Sequence, residues 1–491
     1  MPLLAITRQM DPPTIVERLI MAKNDQTTSL AFFQIEFDMD IAAATIDLFR
    51  HSFATSTNIT TKTAATSTTV HRQPKITTSR RCGCFFELSL YGCTGYVEDV
   101  VQVALSLDLF VQITIKMVTV PLTLPMPMFW SLGSGMKFNL RLATLQLVHT
   151  TISKEQATYL GDGLKSLFGR TCLQQLSLSR VEFSSSDAIA EVAAGLQDNT
   201  SLQRLAIISC HLSDTEIATI AHALVGHPTV VDLRLFGNDC RKEGLKALSH
   251  VLAFSKVESL DLHHQSWRNQ GLQSHIHLLF DGLGGNQHLK RLNLSSNILN
   301  DDDLESLAQI HWTCRQLEEL DLDMNNFTNV GLYKFAHFND IPSRLRRLRL
   351  AGNNFTREGA VHLLKILQVH LELGFVDCHQ FWIRSDQRKI IQHFLDVNRC
   401  GRALLRQGNN FPLSLWPIVL AKANRVFFHY EIRRANALYL LLHGPALMQR
   451  ADFGVPDGRN SSDRVSKKRK LGFSRYDLFP GDMPSKKKQN Q

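Results

Sequence analysis

Apolar residues along the chain recur in a pattern that neither a lone strand nor a lone helix explains. Leu289, Leu292 and Leu294 are closed by Asn297 in the stretch L-K-R-L-N-L-S-S-N. Twenty-eight residues on, Leu317, Leu320, Leu322 and Asn325 repeat it, and after another twenty-eight so do Leu345, Leu348, Leu350 and Asn353. The fourth and sixth positions alternate, which puts their side chains on one face of a short strand. Weaker copies lie upstream at Val257/Leu260/Leu262, at Val230/Leu233/Leu235 with Asn238, and at Leu202/Leu205/Ile207 with Cys210. The series continues through Leu173/Leu176/Leu178 with Val181 and Leu142/Leu145/Leu147 with Thr150. Two degenerate copies, Phe110/Ile113/Ile115/Val118 and Phe85/Leu88/Leu90/Cys93, bring the count to ten, at intervals of 25 to 32 residues. A frayed eleventh lies near Leu371.

The second half of each copy reads as a helix. Ser213 and Glu216 are spaced as a capping box ahead of Ile217, Ile220, Ala221 and Leu224, and Ser153 and Gln156 do the same before Ala157, Leu160 and Leu164. Thr356 opens another helix with Ala360, Leu363, Leu364 and Leu367 inward. The proline- and glycine-bearing stretch Pro121–Phe138 reads as a loop on the rim. After the repeats, Ser385–Leu395, Pro412–Asn424 and Glu431–Leu442 are apolar or amphipathic helix candidates. Ahead of the repeats, Thr14–Ala22 suggests a short helix and Ala31–Phe37 an extended segment, while the Thr/Ser run Ala54–Thr69 cannot bury enough apolar surface to order itself.

A period in the twenties with L-x-x-L-x-L-x-x-N resembles the leucine-rich repeat solenoids. A short strand followed by a full helix is similar to the ribonuclease-inhibitor-like (RNI-like) subclass. That subclass includes ribonuclease inhibitor, the sensor regions of NLR proteins and RanGAP-type GTPase activators. The segments 395–405 and 412–420 also look like the ends of RNI-like repeat proteins. The resemblance implies an α/β solenoid, a horseshoe with parallel strands on the concave face and helices on the convex face, capped by C-terminal helices. The expected division is a poorly ordered region at 1–81, the solenoid at 82–384, a helical cap at 385–450 and a disordered basic tail at 451–491.

Composition adds little to this until charge is localised. The net charge of +9 comes from the two ends: residues 464–491 hold nine Lys/Arg against Asp477 and Asp482, and residues 1–81 hold nine basic and seven acidic side chains. Residues 82–463 are formally neutral, so the basic balance does not argue for nucleic acid as a partner of the body. No signal peptide and no uninterrupted apolar run of membrane-spanning length are visible, which leads to the expectation of a cytoplasmic or nuclear, not secreted, chain with reduced cysteines. The Asn58 sequon is then incidental.

No phosphate loop, H-E-x-x-H, G-x-S-x-G or kinase signature is present, and the lone C-x-C at Cys82 and Cys84 lacks a second cysteine pair for zinc. His263, His264, His275 and His277 cluster around Trp267, with His275 and His277 on one face if the segment is a strand, but no third ligand completes a metal set. No catalytic residue, cofactor or metal is expected. What remains is the concave face, read from the third, fifth and seventh positions: Tyr91, Arg204, Asp232, Arg234, Phe236, Asp261, Arg291, Asn293, Glu319, Asp321, Asp323, Arg347 and Arg349. Neighbouring strands lie about 4.8 Å apart, which predicts the pairs Glu319–Arg347, Asp321–Arg349 and Arg204–Asp232. These charges either neutralise one another across the ladder or form a recognition surface with Arg, Tyr and Phe as anchors. The expected function is a non-enzymatic scaffold for a protein partner. The alternatives are a RanGAP-like activator and an NLR-type regulatory protein without the nucleotide-binding module. In the tail, Lys467-Lys468-Arg469-Lys470 match a monopartite nuclear import signal, which implies importin as a further partner.

Overall fold

The computed structural model describes residues 3–22, 29–50 and 87–399, apart from short connecting stretches, the longest of them 266–274. One parallel sheet of thirteen strands runs through these residues. It begins with β1 (Leu3–Thr7), β2 (Ser29–Phe33), β3 (Glu87–Tyr91), β4 (Gln112–Lys116), β5 (Thr144–Val148), β6 (Gln175–Ser179) and β7 (Arg204–Ile208). Shorter strands complete it: β8 (Asp232–Arg234), β9 (Ser259–Asp261), β10 (Arg291–Asn293), β11 (Glu319–Asp321), β12 (Arg347–Arg349) and β13 (Phe375–Asp377). Every strand is followed by a helix. In the first half these are α1 (Pro12–Ala22), α2 (39–50), α3 (Val97–Ser106), α4 (Met126–Phe138), α5 (Lys154–Leu164) and α6 (Ser186–Gln197). The second half has α7 (Asp214–Leu224), α8 (Lys242–Phe254), α9 (Ile276–Gly285), α10 (Asp301–His311), α11 (Asn329–His337), α12 (Gly359–Val369) and α13 (Ser385–Arg399).

The strands stack without slippage. Leu292 pairs with Leu260 on one side and Leu320 on the other, and the same column runs from Leu4 and Leu30 to Leu348 and Val376. From Leu30 to Leu348 the column, and helix residues opposite it such as Leu283, Leu307 and Phe335, are at most 2% exposed. Each fully buried side chain of this size stabilises by roughly 1.5–3 kcal/mol, a sum no isolated coil could reach. One residue after the seventh position takes a left-handed backbone in coil after coil: Gln34, His149, Arg180, Ser209, Gly237, His264, Ser296, Met324 and Gly352. That turn sends the chain out of the strand layer and fixes the direction of the side chain just before it.

Three expectations are corrected. The first fifty residues are not a poorly ordered arm: β1 and β2 extend the sheet by two coils, because Ile6, Leu19, Leu30, Phe32, Leu48 and Phe49 are all fully buried. Residues 51–86, which include the Thr/Ser run, Cys82 and Cys84, lie outside the described residues. The stretch Pro121–Phe138 is not a rim loop from Met126 on. Its prolines sit before and within the first turn of α4, where a missing amide is harmless, and Phe129, Leu132 and Met136 face the core. Finally, the solenoid does not end at 384. The helix α13 completes a thirteenth coil, and residues 400–491, with the remaining cap candidates and the basic tail, lie outside the described residues.

Buried polar side chains tie coil to coil in two ladders. In the first, Asn325 Oδ1 accepts from the Asn297 and Leu299 amides at 3.0 and 3.1 Å, while Nδ2 donates to the Leu294 and Leu322 carbonyls at 3.1 and 3.0 Å. Asn238, Asn297 and Asn353 repeat this, Cys210 Sγ substitutes with longer contacts, and Gln265 fills the slot that the pattern at Leu260 left unassigned. In the second ladder, Asn199, Ser255, Asn286 and Asn398 donate to carbonyls at the preceding helix end, Leu164, Leu224, Leu252 and Leu367.

His227 occupies an Asn199-like place in that second ladder. Its Nδ1 accepts from the Thr229 and Val230 amides, as Asn199 Oδ1 does from Ser201 and Leu202, so the proton sits on Nε2, which finds no partner at good geometry. Burial pushes this histidine below the ordinary 6.5. The unfolded chain therefore takes a proton the folded chain resists, and this contribution to stability is full above about pH 6.5 and lost as the pH falls below it. His227→Asn is expected to keep the fold and to flatten the decline in melting temperature between pH 7 and pH 5. An unchanged slope would assign the decline to other groups.

Candidate concave interface

The concave face is built from the outward positions of successive strands. Locally, the fifth-position side chain closes a small turn at the strand end. Asp261, Asn293 and Asp321 accept the amides of His263, Ser295 and Asp323, at 3.2, 3.0 and 3.1 Å. Asn293 makes this turn without a charge, so the turn does not require the carboxylates at 261 and 321. That separates what the fold needs from what the surface carries.

Two of the three expected cross-strand pairs form. Arg347 Nη1 stands 3.5 Å from Glu319 Oε1, and Arg349 Nη1 stands 3.6 Å from Asp321 Oδ2. Both are partly exposed and loosely spaced, each stabilising by about 0.5 kcal/mol. The third does not form. Arg204 and Asp232 are register neighbours, but Asp232 is buried and held by Arg234 on its own strand, Nε at 3.2 Å and Nη2 at 2.8 Å. A two-point grip within one strand outcompetes a single contact across the ladder, leaving Arg204 exposed.

Fifth and seventh positions from β9 onward carry an excess of acid. Among the described residues at those positions stand four carboxylates, Asp261, Asp321, Asp323 and Asp377, and one guanidinium, Arg349, the register neighbour of Asp321 and Asp377. Burial, only partly offset by the Asp323 amide and Arg349, holds Asp321 above the usual carboxylate range. Burial and then the neighbouring Asp321 charge raise Asp323 to about 6, even though its Oδ1 accepts the Ala351 amide at 2.6 Å. Next to this acidic group, His263 points Nδ1 at Asp261 Oδ1, 2.7 Å away, and stacks on Phe236 with ring centroids 3.9 Å apart. The carboxylate can only accept, so Nδ1 carries the proton. Phe236 and His263 follow Ile208 along the seventh position, and Ser179 separates this apolar run from Val148. Neither Phe33 nor His263 was among the expected site residues. Phe33, at the end of β2, stacks on Tyr91 at 4.8 Å, which makes Tyr91 half of an aromatic pair at the far N-terminal end, many strands from Arg347 and Arg349.

His275 and His277 are not strand neighbours. His275 stands at the N-cap position of α9 without a side-chain capping bond and His277 lies in its first turn, with ring centroids 6.3 Å apart, and Trp267 lies outside the described residues. Among the described residues no group of three or more His, Cys, Asp or Glu is placed to hold a metal, and no helix is long and apolar enough to cross a membrane.

Comparison with known proteins meets this geometry. The leucine rich repeat family model matches residues 285–308 and 313–336, the coils of β10 and β11. The chain carries leucine-rich repeats. It is 30% identical over 202 residues to human leucine-rich repeat-containing protein 73, covering 40% of this chain and 62% of that one. It is 28% identical over 185 residues to human NACHT, LRR and PYD domains-containing protein 13, covering 37% of this chain and 17% of that one. The chain thus spans less than two thirds of either relative. An internalin from Listeria monocytogenes superposes with a TM-score of 0.34 at 15% identity, over 60% of this chain and 80% of that one, too weak a likeness to carry an argument.

Proposed function

We propose that this leucine-rich repeat protein is a non-catalytic scaffold that holds a protein partner on its concave face. The observation that carries this is the charge at Asp321 and Asp323. The local turn at Asp321 works with a neutral side chain at the equivalent Asn293, and the Asp321 charge raises Asp323 by repulsion although Asp323 keeps the Ala351 amide. Groups kept at a cost to the fold mark functional surfaces. The stacked Phe236–His263 pair beside them supplies an aromatic anchor of the kind that dominates protein interfaces. The strand-plus-helix coil supports the ribonuclease-inhibitor-like subclass. Relatives that carry NACHT and PYD domains favour, as a second reading, an NLR-type regulatory protein. Lys467–Lys470 fit an import signal read by importin, and a fluorescent fusion confined to the cytoplasm with that run intact would remove nuclear entry from the account.

Asp323→Asn separates stability from binding. The folded-state pKa is raised, so the carboxylate costs stability above about pH 6 and stops costing it as the pH falls toward 4. The amide keeps the Ala351 bond and removes the charge. The variant is expected to gain about 1 kcal/mol at pH 7.5, after allowance for solvent screening of a half-exposed group. It is also expected to lose its pH slope between 4 and 6. Partner recovered by affinity purification with the full chain is expected to fall about tenfold. Equal recovery with raised stability would leave these charges without a binding role.

A further inference from the structure

The acidic half of the concave face has an aromatic platform at one side, and the chain itself carries a segment with the complementary order of chemistry. Residues 464–491 hold a net charge of +7, whereas residues 82–463 are neutral. Within that tail the order is Lys467-Lys468-Arg469-Lys470-Leu471-Gly472-Phe473, a cationic run followed at once by two apolar side chains. On the surface, the order along the stack is Asp323 and Asp321 at β11, Ser295 and Asn293 at β10, His263 at β9 and Phe236 at β8.

The spacings also agree. Three strand steps separate Asp323 from Phe236, about 14 Å at the usual interstrand distance. Four residues of extended chain separate Arg469 from Phe473, also about 14 Å. With Arg469 over the two aspartates, Phe473 lies over the Phe236–His263 stack. Leu471 then falls midway, over the uncharged Asn293 and Ser295. Residues 400–466 link α13 to this segment. Even at the compact rise of a helix that length spans about 100 Å, against roughly 24 Å across the five strand steps from β13 to β8. A covalently linked segment works at an effective concentration on the order of millimolar, so weak contacts suffice.

We propose that Lys467–Phe473 dock in cis across the concave face, the cationic run on Asp321 and Asp323 and Phe473 on the Phe236–His263 stack. The docked segment covers the surface assigned above to the partner, and the inference rests on that reading. A partner then has to displace it, and displacement uncovers Lys467–Lys470. Binding of the partner and accessibility of the basic run become one switch.

Zero-length carbodiimide coupling of the full chain, followed by mass spectrometry of the monomer band, tests the docking. The expected result is amide links from Lys467, Lys468 or Lys470 to Asp321 or Asp323. Phe473→Ala, which leaves every lysine and carboxylate in place, is expected to cut their yield at least fivefold. Links spread evenly over acidic surfaces, or a yield indifferent to Phe473→Ala, overturn the proposal. A mixture of isotopically light and heavy chains gives light–light and heavy–heavy links if docking is in cis, and light–heavy links in the dimer band overturn it in favour of a second copy. A labelled peptide of residues 464–476 provides an independent arm. It is expected to bind the full chain carrying Lys467→Ser, Lys468→Ser, Arg469→Ser and Lys470→Ser about tenfold more tightly than the unaltered chain. Equal affinity for both overturns docking in cis. Partner recovery that still falls with Asp323→Asn in that case keeps the partner reading and removes only the tail.

Discussion

Asn325→Ala is expected to destabilise the chain by roughly 3 kcal/mol or more, read as a shift in the midpoint of urea unfolding. The side chain is buried and makes five bonds to backbone of its own and the preceding coil. Alanine leaves the Asn297 and Leu299 amides and the Leu294 and Leu322 carbonyls without these partners inside the stack, where each unsatisfied group costs about 1–3 kcal/mol before relaxation. Asn325→Asp is the sharper companion. It keeps both acceptor bonds, and when protonated at low pH it offers one O–H donor in place of the amide's two N–H donors, so it should fall between wild type and alanine there and approach alanine at neutral pH, where both donors are gone and a buried charge is added. A stability within about 0.5 kcal/mol of wild type for alanine, the range of an ordinary surface substitution, would mean that the coils are held by leucine burial alone.

Phe32→Ala is expected to cost about 3–5 kcal/mol, the range for emptying a large aromatic site in a packed core. Phe32 is fully buried, its ring lies 5.0 Å from Phe37, and β2 bridges β1 and β3. Were residues 1–50 a loosely attached arm, the same substitution would leave the unfolding midpoint unmoved. Deleting residues 1–50 makes the point differently. It strips the cover from Leu88 and Leu90 and exposes the edge of β3, so the shortened chain is expected to aggregate or to lose cooperativity.

The repeat pattern made most of the stack legible because a leucine at a fixed interval has one simple physical reading. It failed at the N-terminus for a reason visible in the numbers. Leu30 and Leu88 are 58 residues apart in sequence, two periods, yet are direct register partners, and the Thr/Ser run lies between them in the sequence. Searching outward one period at a time stops there. The Pro121–Phe138 stretch misled because prolines and glycines were weighed as breakers. Proline in a first helical turn breaks nothing, and Gly133 lets α4 approach α5 so closely that a Cβ would meet the Tyr159 carbonyl oxygen. The Arg204–Asp232 pairing was wrong because register alone does not choose between two partners for one carboxylate. Arg234 lies on the same strand and reaches Asp232 with two nitrogens. His263 shares the seventh position with Phe236, but position alone does not show that the two rings stack. The acidic bias of the later coils is hidden when third, fifth and seventh positions are pooled, because Arg291 and Arg347 at the third position offset the carboxylates of the fifth and seventh.

The concave face is the central claim, and site-specific photo-crosslinking tests it directly. A photoreactive residue is placed in the full chain at Asn293, in the middle of the acidic and aromatic rows, or at Tyr333, exposed on the helix side in α11. A co-purifying protein is expected to be captured from position 293 and not from position 333. Capture from 333 without capture from 293 would place the partner on the helices and contradict the account.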